Sequence, residues 1–308
     1  MTITRRKFLH NAGIASAAAI VLPDALSAFA KQPEPHAIGL QLFTLFNIID
    51  NDVVGNLKKV VSIGFKEIES AFSHKGGYYG YTPKSFAQLC KSLGLSWKSH
   101  HVLGAPFKLP AGAKMPVGPD GKAMVMPKVL NLRDNMQQIV DEAAEGGVQY
   151  LVCANIPTGN LTEINQAVAS LNKTGEACMK AGLTFAYHNH DMEFKTVEGK
   201  VPYHVLLGDT DAKHVKMELD LAWAIKGGVD PVELFNQNPG RFPLWHIKNL
   251  SKNMETIMPA GDGIIDFKRI FAHAATAGMQ HFFVEHDMPA DAFASITSSY
   301  KYLRNINA

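Results

Sequence analysis

Residues 184–221 of the 308-residue chain read TFAYHNHDMEFKTVEGKVPYHVLLGDTDAKHVKMELDL. Two short apolar runs, at 184–190 and 215–221, enclose a helical pattern centred on 203–207. A strand, a helix and a second strand in this order predict a parallel βαβ unit, because parallel neighbours need a long crossover between them. The first run ends on His190 and the second has Asp220 next to its end. The carboxyl ends of parallel strands are where ligands bind in such folds.

The same rhythm continues on both sides of this stretch. We predict eight strands, at 38–43, 66–71, 96–103, 149–154, 184–190, 215–221, 244–249 and 281–285. Helical patterns follow them, centred on 53–63, 85–93, 130–146, 161–181, 203–207, 230–235 and 267–277, with a last helix from about 290 to 303. Eight such units predict an α/β fold of the (β/α)₈ TIM barrel type. No G-x-G-x-x-G follows the first strand, which argues against dinucleotide binding.

The first 30 residues are predicted to be a targeting segment. Thr4-Arg5-Arg6-Lys7-Phe8-Leu9 precedes an Ala-rich apolar stretch at 12–22, and Ala28-Phe29-Ala30 supplies the small residues that an export peptidase reads. Twin arginines before Phe-Leu resemble a bacterial Tat signal. The apolar run is shorter than the roughly 20 residues of a membrane span. We expect a Tat-type signal peptide at 1–30, a barrel at 31–308, a periplasmic location and no membrane attachment after cleavage; an uncleaved N-terminal helix is the alternative.

Composition excludes several kinds of partner. The formal net charge is +2, and no block of like charges follows the first ten residues, so nucleic-acid binding has no electrostatic support. Cys90, Cys153 and Cys178 are odd in number and widely spaced, so we expect free, buried thiols and no disulfide framework. The expected partner is a small molecule, and the sequence leaves a homo-oligomer open.

Two loops are candidate walls of a site. Residues 104–127, rich in Gly, Pro and Lys, follow the third predicted strand and are long for a βα loop. On a barrel they lie on the carboxyl-terminal face, where we expect a wall or lid; a decorative loop or an oligomer contact is the alternative. The tyrosines of 76–81, after the second strand, could stack on a sugar or pack on the loop.

Ionisable residues end four successive predicted strands. Alternation puts His188 with His190, Glu218 with Asp220, and His246 with Lys248 on shared strand faces, and Glu285 ends the eighth strand. The candidate metal ligands are His188, Asp220, His246 and Glu285. Two imidazoles and two carboxylates suit Mn²⁺, Co²⁺, Zn²⁺, Fe²⁺ or Mg²⁺, so we predict one bound divalent metal ion.

Three segments resemble a known family, the xylose-isomerase-like sugar isomerases and epimerases, which include inosose dehydratases. Gly261-Asp262-Gly263-Ile264-Ile265-Asp266-Phe267 resembles that family's G-x-G-x-x-D-F segment. His246-Ile247-Lys248-Asn249 resembles its H-x-K-D strand, and Leu219-Asp220 followed by Gly228-Val229-Asp230-Pro231 resembles its sixth unit. The resemblance implies a TIM barrel with a metal held by Glu, Asp, His and Glu from strands five to eight.

Asp220, His246 and Glu285 match the last three of those ligands, but the first one departs. The family often reads A-L-E-N-H where this chain has Ala186-Tyr187-His188-Asn189-His190. A neutral imidazole in place of a carboxylate makes the site one unit less negative and favours softer ions, unless His188 does not ligate. His190 is then the reserve ligand or a residue that supports one.

The candidate catalytic residues are Lys248, His101 and Glu69, and the candidate substrate-binding residues are His190, Glu218 and Trp223. The activity expected from the resemblance is isomerisation or epimerisation of a free or keto sugar through an enediolate, with His101 or Lys248 as base. One alternative is a lyase or hydratase that acts on 3-keto-glycosides or inosose-like keto polyols. Two others are a non-catalytic periplasmic sugar-binding barrel and an endonuclease of the same broad superfamily.

The targeting segment yields a testable prediction. If the peptidase reads Ala28-Phe29-Ala30, the mature protein begins at Lys31 and lies in the periplasm. N-terminal sequencing of the native protein from fractionated cells measures this. Recovery of Met1 or Thr2 in a soluble cytoplasmic fraction contradicts it.

Overall fold

A computed structural model describes residues 36–106 and 129–306. Within them, eight parallel strands close into a barrel in the order β1-β10-β7-β6-β5-β4-β3-β2, which confirms the predicted fold. The barrel strands are β1 (Ile38–Gln41), β2 (Glu67–Ser70), β3 (Ser96–Leu103), β4 (Tyr150–Asn155), β5 (Thr184–His188), β6 (Val215–Asp220), β7 (Leu244–Ile247) and β10 (His281–Val284). After β7, a short antiparallel pair forms from β8 (Asn249–Leu250) and β9 (Ile257–Met258).

Helices cover the outside of the barrel, and side-chain caps start many of them. They are α1 (Val53–Ile63), α2 (Pro83–Ser92), α3 (Leu132–Gly146), α4 (Leu161–Lys180), α5 (Pro202–Asp209), α6 (Leu221–Lys226), α7 (Pro231–Gln237), α8 (Phe267–Phe271), α9 (Ala274–Ala277) and α10 (Ala292–Ile306). Thr82, for example, accepts a hydrogen bond from Ser85 N and forms a capping box with that serine at the start of α2. No helix in the described parts of the chain is long and apolar enough to cross a membrane.

Several element boundaries differ from the sequence prediction. The fifth strand ends at His188 instead of residue 190, and the seventh ends at Ile247 before the separate β8. The helix expected at 267–277 is two short helices, α8 and α9. Helix α6 was missed because Asp220 ends β6 and caps α6 at once, so the chain turns directly from strand to helix.

The barrel interior is layered because strand side chains alternate between inside and outside. Its apolar layer is a separate buried cluster of Val152, Ala186, Leu244 and Phe283. Gly39 on β1 leaves room for this layer, since a Cβ there would lie 2.4 Å from the Phe283 ring. Polar side chains occupy the layers above, toward the carboxyl ends of the strands.

The structure tests some of the predictions made for the loops and the cysteines. The segment at 1–30 and most of the candidate lid, from residue 107 onward, lie outside the described residues. Tyr78 and Tyr79 are buried, and Tyr79 Oη accepts a hydrogen bond from Ala71 N at 2.9 Å, so these two tyrosines pack on the loop. The three cysteines are buried and free, as expected.

Filling the space beside Phe283 should destabilise the barrel. We expect Gly39→Val to lower the free energy of unfolding by about 1–3 kcal/mol, because a well-packed interior resists added volume. Urea unfolding followed by circular dichroism measures this. The matched control is Gly208→Ala in α5, whose added Cβ meets no atom within 4 Å and which should be neutral or mildly stabilising. Equal stability of the two variants would contradict the predicted steric conflict.

Candidate metal centre

Four ionisable side chains meet at the carboxyl-terminal end of the barrel interior. Their potential ligand atoms all lie within 4.8 Å of one another, and all four side chains are buried. They are His188 of β5, Asp220 of β6, His246 of β7 and Glu285, which follows β10. These are the four residues proposed as ligands from the sequence. They meet because their strands are consecutive around the barrel. We call them the upper cluster.

The start of α6 sets the direction of the Asp220 carboxylate. Its Oδ1 accepts a hydrogen bond from Trp223 N at 2.9 Å, which is the N-cap bond of the helix. Asn189 Oδ1 accepts from Asp220 N at 3.0 Å and ties this turn to the end of β5. The cap leaves Oδ2 to face the other members of the upper cluster.

Lys248 places a buried ammonium group beside the upper cluster. Its Nζ lies 2.8 Å from Asp220 Oδ2 and 2.8 Å from Asp287 Oδ2. It also bonds to Glu285 and lies 4.9 Å from the centroid of the Trp223 ring. Burial lowers the pKa of Lys248, but the three carboxylates outweigh burial and hold that pKa well above its ordinary value. In this arrangement the side chain is a charged hydrogen-bond donor and not a proton acceptor.

A deeper cluster, formed by Glu69, His101, Glu218 and His246, lies one layer below. His101 Nε2 is 2.5 Å from Glu218 Oε2 and 3.1 Å from Glu69 Oε1. His246 belongs to both clusters, because its Nε2 lies 2.6 Å from Glu69 Oε1 and its Nδ1 lies 3.1 Å from Glu285 Oε2. The two clusters are therefore connected through one imidazole ring.

Hydrogen bonds between carboxylates and protonated imidazoles hold the deeper cluster together. Burial and Glu69 raise the pKa of Glu218 to about 7. Burial lowers the pKa of His101, but Glu69 and Glu218 outweigh it and raise that pKa to about 9. Burial alone would raise the pKa of Glu69, whereas His101 and His246 hold it well below its ordinary value. An ionised Glu69 thus faces protonated imidazole nitrogens.

Each cluster has a buried atom without a hydrogen-bond partner among the described residues: Glu218 Oε1 in the deeper cluster and His188 Nε2 in the upper one. His188 Nε2 is buried and makes no hydrogen bond within the described residues, and Asp220 Oδ2 lies 3.5 Å from it. A buried polar nitrogen is costly unless something satisfies it. Burial, with His246 and His190 nearby, holds the pKa of His188 well below its ordinary value, so the imidazole is neutral. With this nitrogen, the upper cluster offers two imidazole and two carboxylate donors, a set that fits a divalent cation.

His190 and Trp223 lie beside the upper cluster, with ring centroids 6.1 Å apart. The His190 side chain is 38% exposed, which sets it apart from the buried histidines of the two clusters. Buried Glu193 accepts hydrogen bonds from Tyr187 Oη at 2.7 Å and from His190 N at 3.1 Å. Glu193 Oε1 also lies 3.9 Å from His190 Nδ1, so this carboxylate orients an imidazole that solvent can reach.

Comparison with known proteins agrees with this architecture. The family model described as xylose isomerase-like TIM barrel matches residues 57–306. The chain belongs to this family. The xylose isomerase-like barrel therefore supplies the frame in which the two clusters sit, and its members include sugar isomerases, epimerases and dehydratases.

Individual relatives within the xylose isomerase-like group are distant. An inosose dehydratase from Geobacillus thermodenitrificans (strain NG80-2) is 26% identical over 153 residues, which is 44% of this chain and 49% of the relative. The match thus spans about half the length of that curated relative. A sugar phosphate isomerase/epimerase from Parabacteroides distasonis ATCC 8503 is 28% identical, with a TM-score of 0.70 over 87% of this chain and 98% of its own. An L-ribulose 3-epimerase, 14% identical, has a TM-score of 0.64 over 88% of this chain and 94% of its own, and shares the fold.

The predicted site residues occupy three positions in this barrel. The four proposed ligands and Lys248 form the upper layer, whereas His190 and Trp223 lie beside it. Glu69, His101 and Glu218 lie in the deeper cluster. These three side chains are buried and pair with one another, and the catalytic and substrate-binding roles predicted for them stay predictions.

Sequence reasoning missed three residues of the site. Asp287 lies two positions after Glu285, so strand alternation was a usable signal for it. Gln41, a polar residue at the end of β1, donates a hydrogen bond to Glu69 Oε1 at 2.7 Å, and its place at a strand end was also a signal. Glu193 lies in a loop, where no periodic pattern marks it.

Removing the buried ammonium group should lower the stability of the metal-free protein. Lys248→Met leaves the carboxylates of Asp220, Glu285 and Asp287 without their shared cation. We expect the free energy of unfolding, measured in urea with a chelator present, to fall by about 3–5 kcal/mol, as for a broken buried ion pair. Lys252→Met, at an exposed lysine, is the control and should change little. A Lys248→Met midpoint equal to that of the wild type would contradict the assigned pairing.

Proposed function

We propose that this protein is a divalent-metal-dependent isomerase or epimerase of a free sugar or keto sugar. The observation that carries the proposal is the convergence of His188, Asp220, His246 and Glu285 around an unpartnered, buried imidazole nitrogen. Family membership supports the sugar chemistry, since named neighbours include isomerases, epimerases and dehydratases.

The upper cluster would hold the cation through His188, Asp220, His246 and Glu285. A divalent ion there would polarise a carbonyl oxygen and offset the negative charge that develops when the neighbouring carbon loses a proton. The burial of all four side chains excludes water and strengthens every electrostatic interaction in the site.

Lys248 would stabilise the negative charge that develops on a substrate oxygen through the field of its buried ammonium group, which three carboxylates hold in place. A proton acceptor must reach the substrate. His190 and Asp287 meet this requirement, with side chains that are 38% and 27% exposed, respectively. They follow β5 and β10, which lie on either side of the β6–β7 pair. Two proton-carrying groups on separate walls suit epimerisation, in which one removes a proton and the other returns one.

We further propose a neutral substrate and a periplasmic location. Five carboxylates face this part of the barrel: Glu69, Glu218, Asp220, Glu285 and Asp287. Glu69 and Glu218 are paired with imidazole nitrogens, whereas Asp220, Glu285 and Asp287 would be balanced by the Lys248 ammonium and the proposed divalent cation. This balance leaves no excess positive charge to bind a phosphate group. The predicted Tat-type signal at 1–30 would agree with this choice, because sugar phosphates are cytoplasmic metabolites.

The second candidate is a dehydratase or lyase acting on a keto polyol or a 3-keto-glycoside. The relative named inosose dehydratase favours it. The first step is the same loss of a proton beside a carbonyl, and the outcome changes when a neighbouring hydroxyl or alkoxyl group leaves. A non-catalytic sugar-binding barrel is the alternative of another class.

Metal binding is tested with substitutions that preserve the fold. Asp220→Asn keeps an oxygen to cap α6, and Glu285→Gln keeps the side-chain volume. We expect both variants to lose most of the bound metal, because each removes a charged ligand from a four-ligand site. Elemental analysis of purified protein measures the metal, and circular dichroism checks folding. Full metal occupancy in both folded variants would contradict the proposed ligand set.

The reaction is tested by hydrogen exchange in D₂O. Metal-loaded protein is incubated with free ketopentoses, ketohexoses and cyclic keto polyols, and proton NMR follows the signal of the carbon-bound hydrogen next to the carbonyl. An isomerase or epimerase replaces that hydrogen with deuterium, whereas a dehydratase also yields an unsaturated product. Absence of exchange and elimination across the panel, with stoichiometric metal present, would favour the binding protein.

A further inference from the structure

The His246 ring makes different contacts through its two nitrogens. Nδ1 faces the upper cluster, 3.1 Å from Glu285 Oε2 and 3.9 Å from Asp220 Oδ2. Nε2 faces the deeper cluster, 2.6 Å from Glu69 Oε1. A metal-bound imidazole is neutral and keeps one ring proton, so only the nitrogen without that proton can bind the metal. The position of that proton therefore decides which cluster His246 can serve.

A series of hydrogen bonds in which each donor can be assigned leads to His246 Nε2. It begins at Phe43 N, a backbone group that can only donate, which bonds to Gln41 Oε1 at 3.0 Å. The oxygen of the Gln41 amide is thereby assigned, so Gln41 Nε2 is the donor in its 2.7 Å bond to Glu69 Oε1. Glu69 Oε1 is thus an acceptor in this series. The same oxygen accepts from His246, whose proton belongs on Nε2.

Glu69 is anchored well enough to impose this choice. It is fully buried, and its second oxygen accepts a hydrogen bond from Ser99 Oγ. The His101 ring stacks on His246 with an interplanar angle of 12° and a centroid separation of 5.1 Å, which restrains the ring plane. Glu69 reaches His246 from β2, a strand that does not neighbour β7 in the barrel.

We infer that Glu69 is a positioning residue that holds the His246 proton on Nε2 and thereby presents Nδ1 as the metal-binding atom. This inference rests on the proposed metal-dependent function and adds the residue that prepares the ligand. It also gives the deeper cluster a role. Glu69 Oε1 and Glu218 Oε2 face imidazole nitrogens of His101 and His246, so in this inference the cluster supports the metal centre. Carboxylate partners of metal-bound histidines act in this way in general.

The test uses zinc as the probe and compares two substitutions of one residue. Glu69→Leu removes the acceptor, whereas Glu69→Gln retains an amide oxygen that can accept the Nε2 proton. We expect the zinc Kd, measured by competition with a chromophoric chelator, to rise about 10- to 100-fold in Glu69→Leu. It should stay close to the wild-type value in Glu69→Gln. A crystal structure of the zinc-loaded wild type should place Nδ1 of His246 about 2.0–2.1 Å from the ion.

Two further variants separate positioning from general damage. Glu67→Leu is the matched control: Glu67 lies on the same strand and bonds to His281 Nδ1 at 2.7 Å, at the amino-terminal end of the barrel. It should lose stability and keep the wild-type zinc Kd. Gln41→Leu removes the donor that orients Glu69 and should weaken zinc binding, so it carries the test if Glu69→Leu does not fold.

The outcomes distinguish this inference from the function on which it rests. An unchanged zinc Kd in folded Glu69→Leu, equal weakening in Glu69→Gln and Glu69→Leu, or zinc on Nε2 overturns the positioning role while leaving the metal site. A wild-type protein that binds neither zinc nor manganese overturns the proposed function and the positioning role together.

Discussion

The charge of the carboxylates that face the barrel axis is the constraint on which the rest of this structure depends. An ionised carboxylate away from water is strongly unfavourable unless it is paired and hydrogen-bonded. Glu69 and Glu218 are compensated by the protonated nitrogens of His101 and His246, and Asp220, Glu285 and Asp287 share the Lys248 ammonium. The interior is thus divided into a deeper layer, paired mainly through imidazole nitrogens, and an upper layer with more negative than positive charge.

This unequal compensation makes the upper layer suitable for chemistry. Three carboxylates around one lysine retain negative charge, and the neutral imidazole of His188 lies beside them without a hydrogen-bond partner at Nε2 among the described residues. A divalent cation would satisfy both features at once. In the deeper layer, by contrast, Glu69 and Glu218 are paired with protonated imidazole nitrogens, so less negative charge is left uncompensated there.

Strand geometry explains how the two layers share one residue. Side chains two residues apart on a strand point to the same side and lie about 6–7 Å apart along it, so Glu218 and Asp220 belong to successive layers. His246 lies between those levels, and its two ring nitrogens reach one layer each. A single imidazole can therefore transmit the orientation of the deeper layer to the proposed metal site.

The amino-acid sequence by itself determined the barrel and the residues at its strand ends. Both follow from local patterns: alternation along strands, helical periodicity between them, and ionisable residues where each strand closes. Tertiary structure decided which of those residues are accessible and which pair with each other. The pairing of Glu69 with His246 joins residues 177 positions apart across a closed barrel, and Lys248 has its carboxylate partners on neighbouring strand ends. No local pattern encodes these contacts, because barrel closure and strand register set the distances, and burial then fixes the charges.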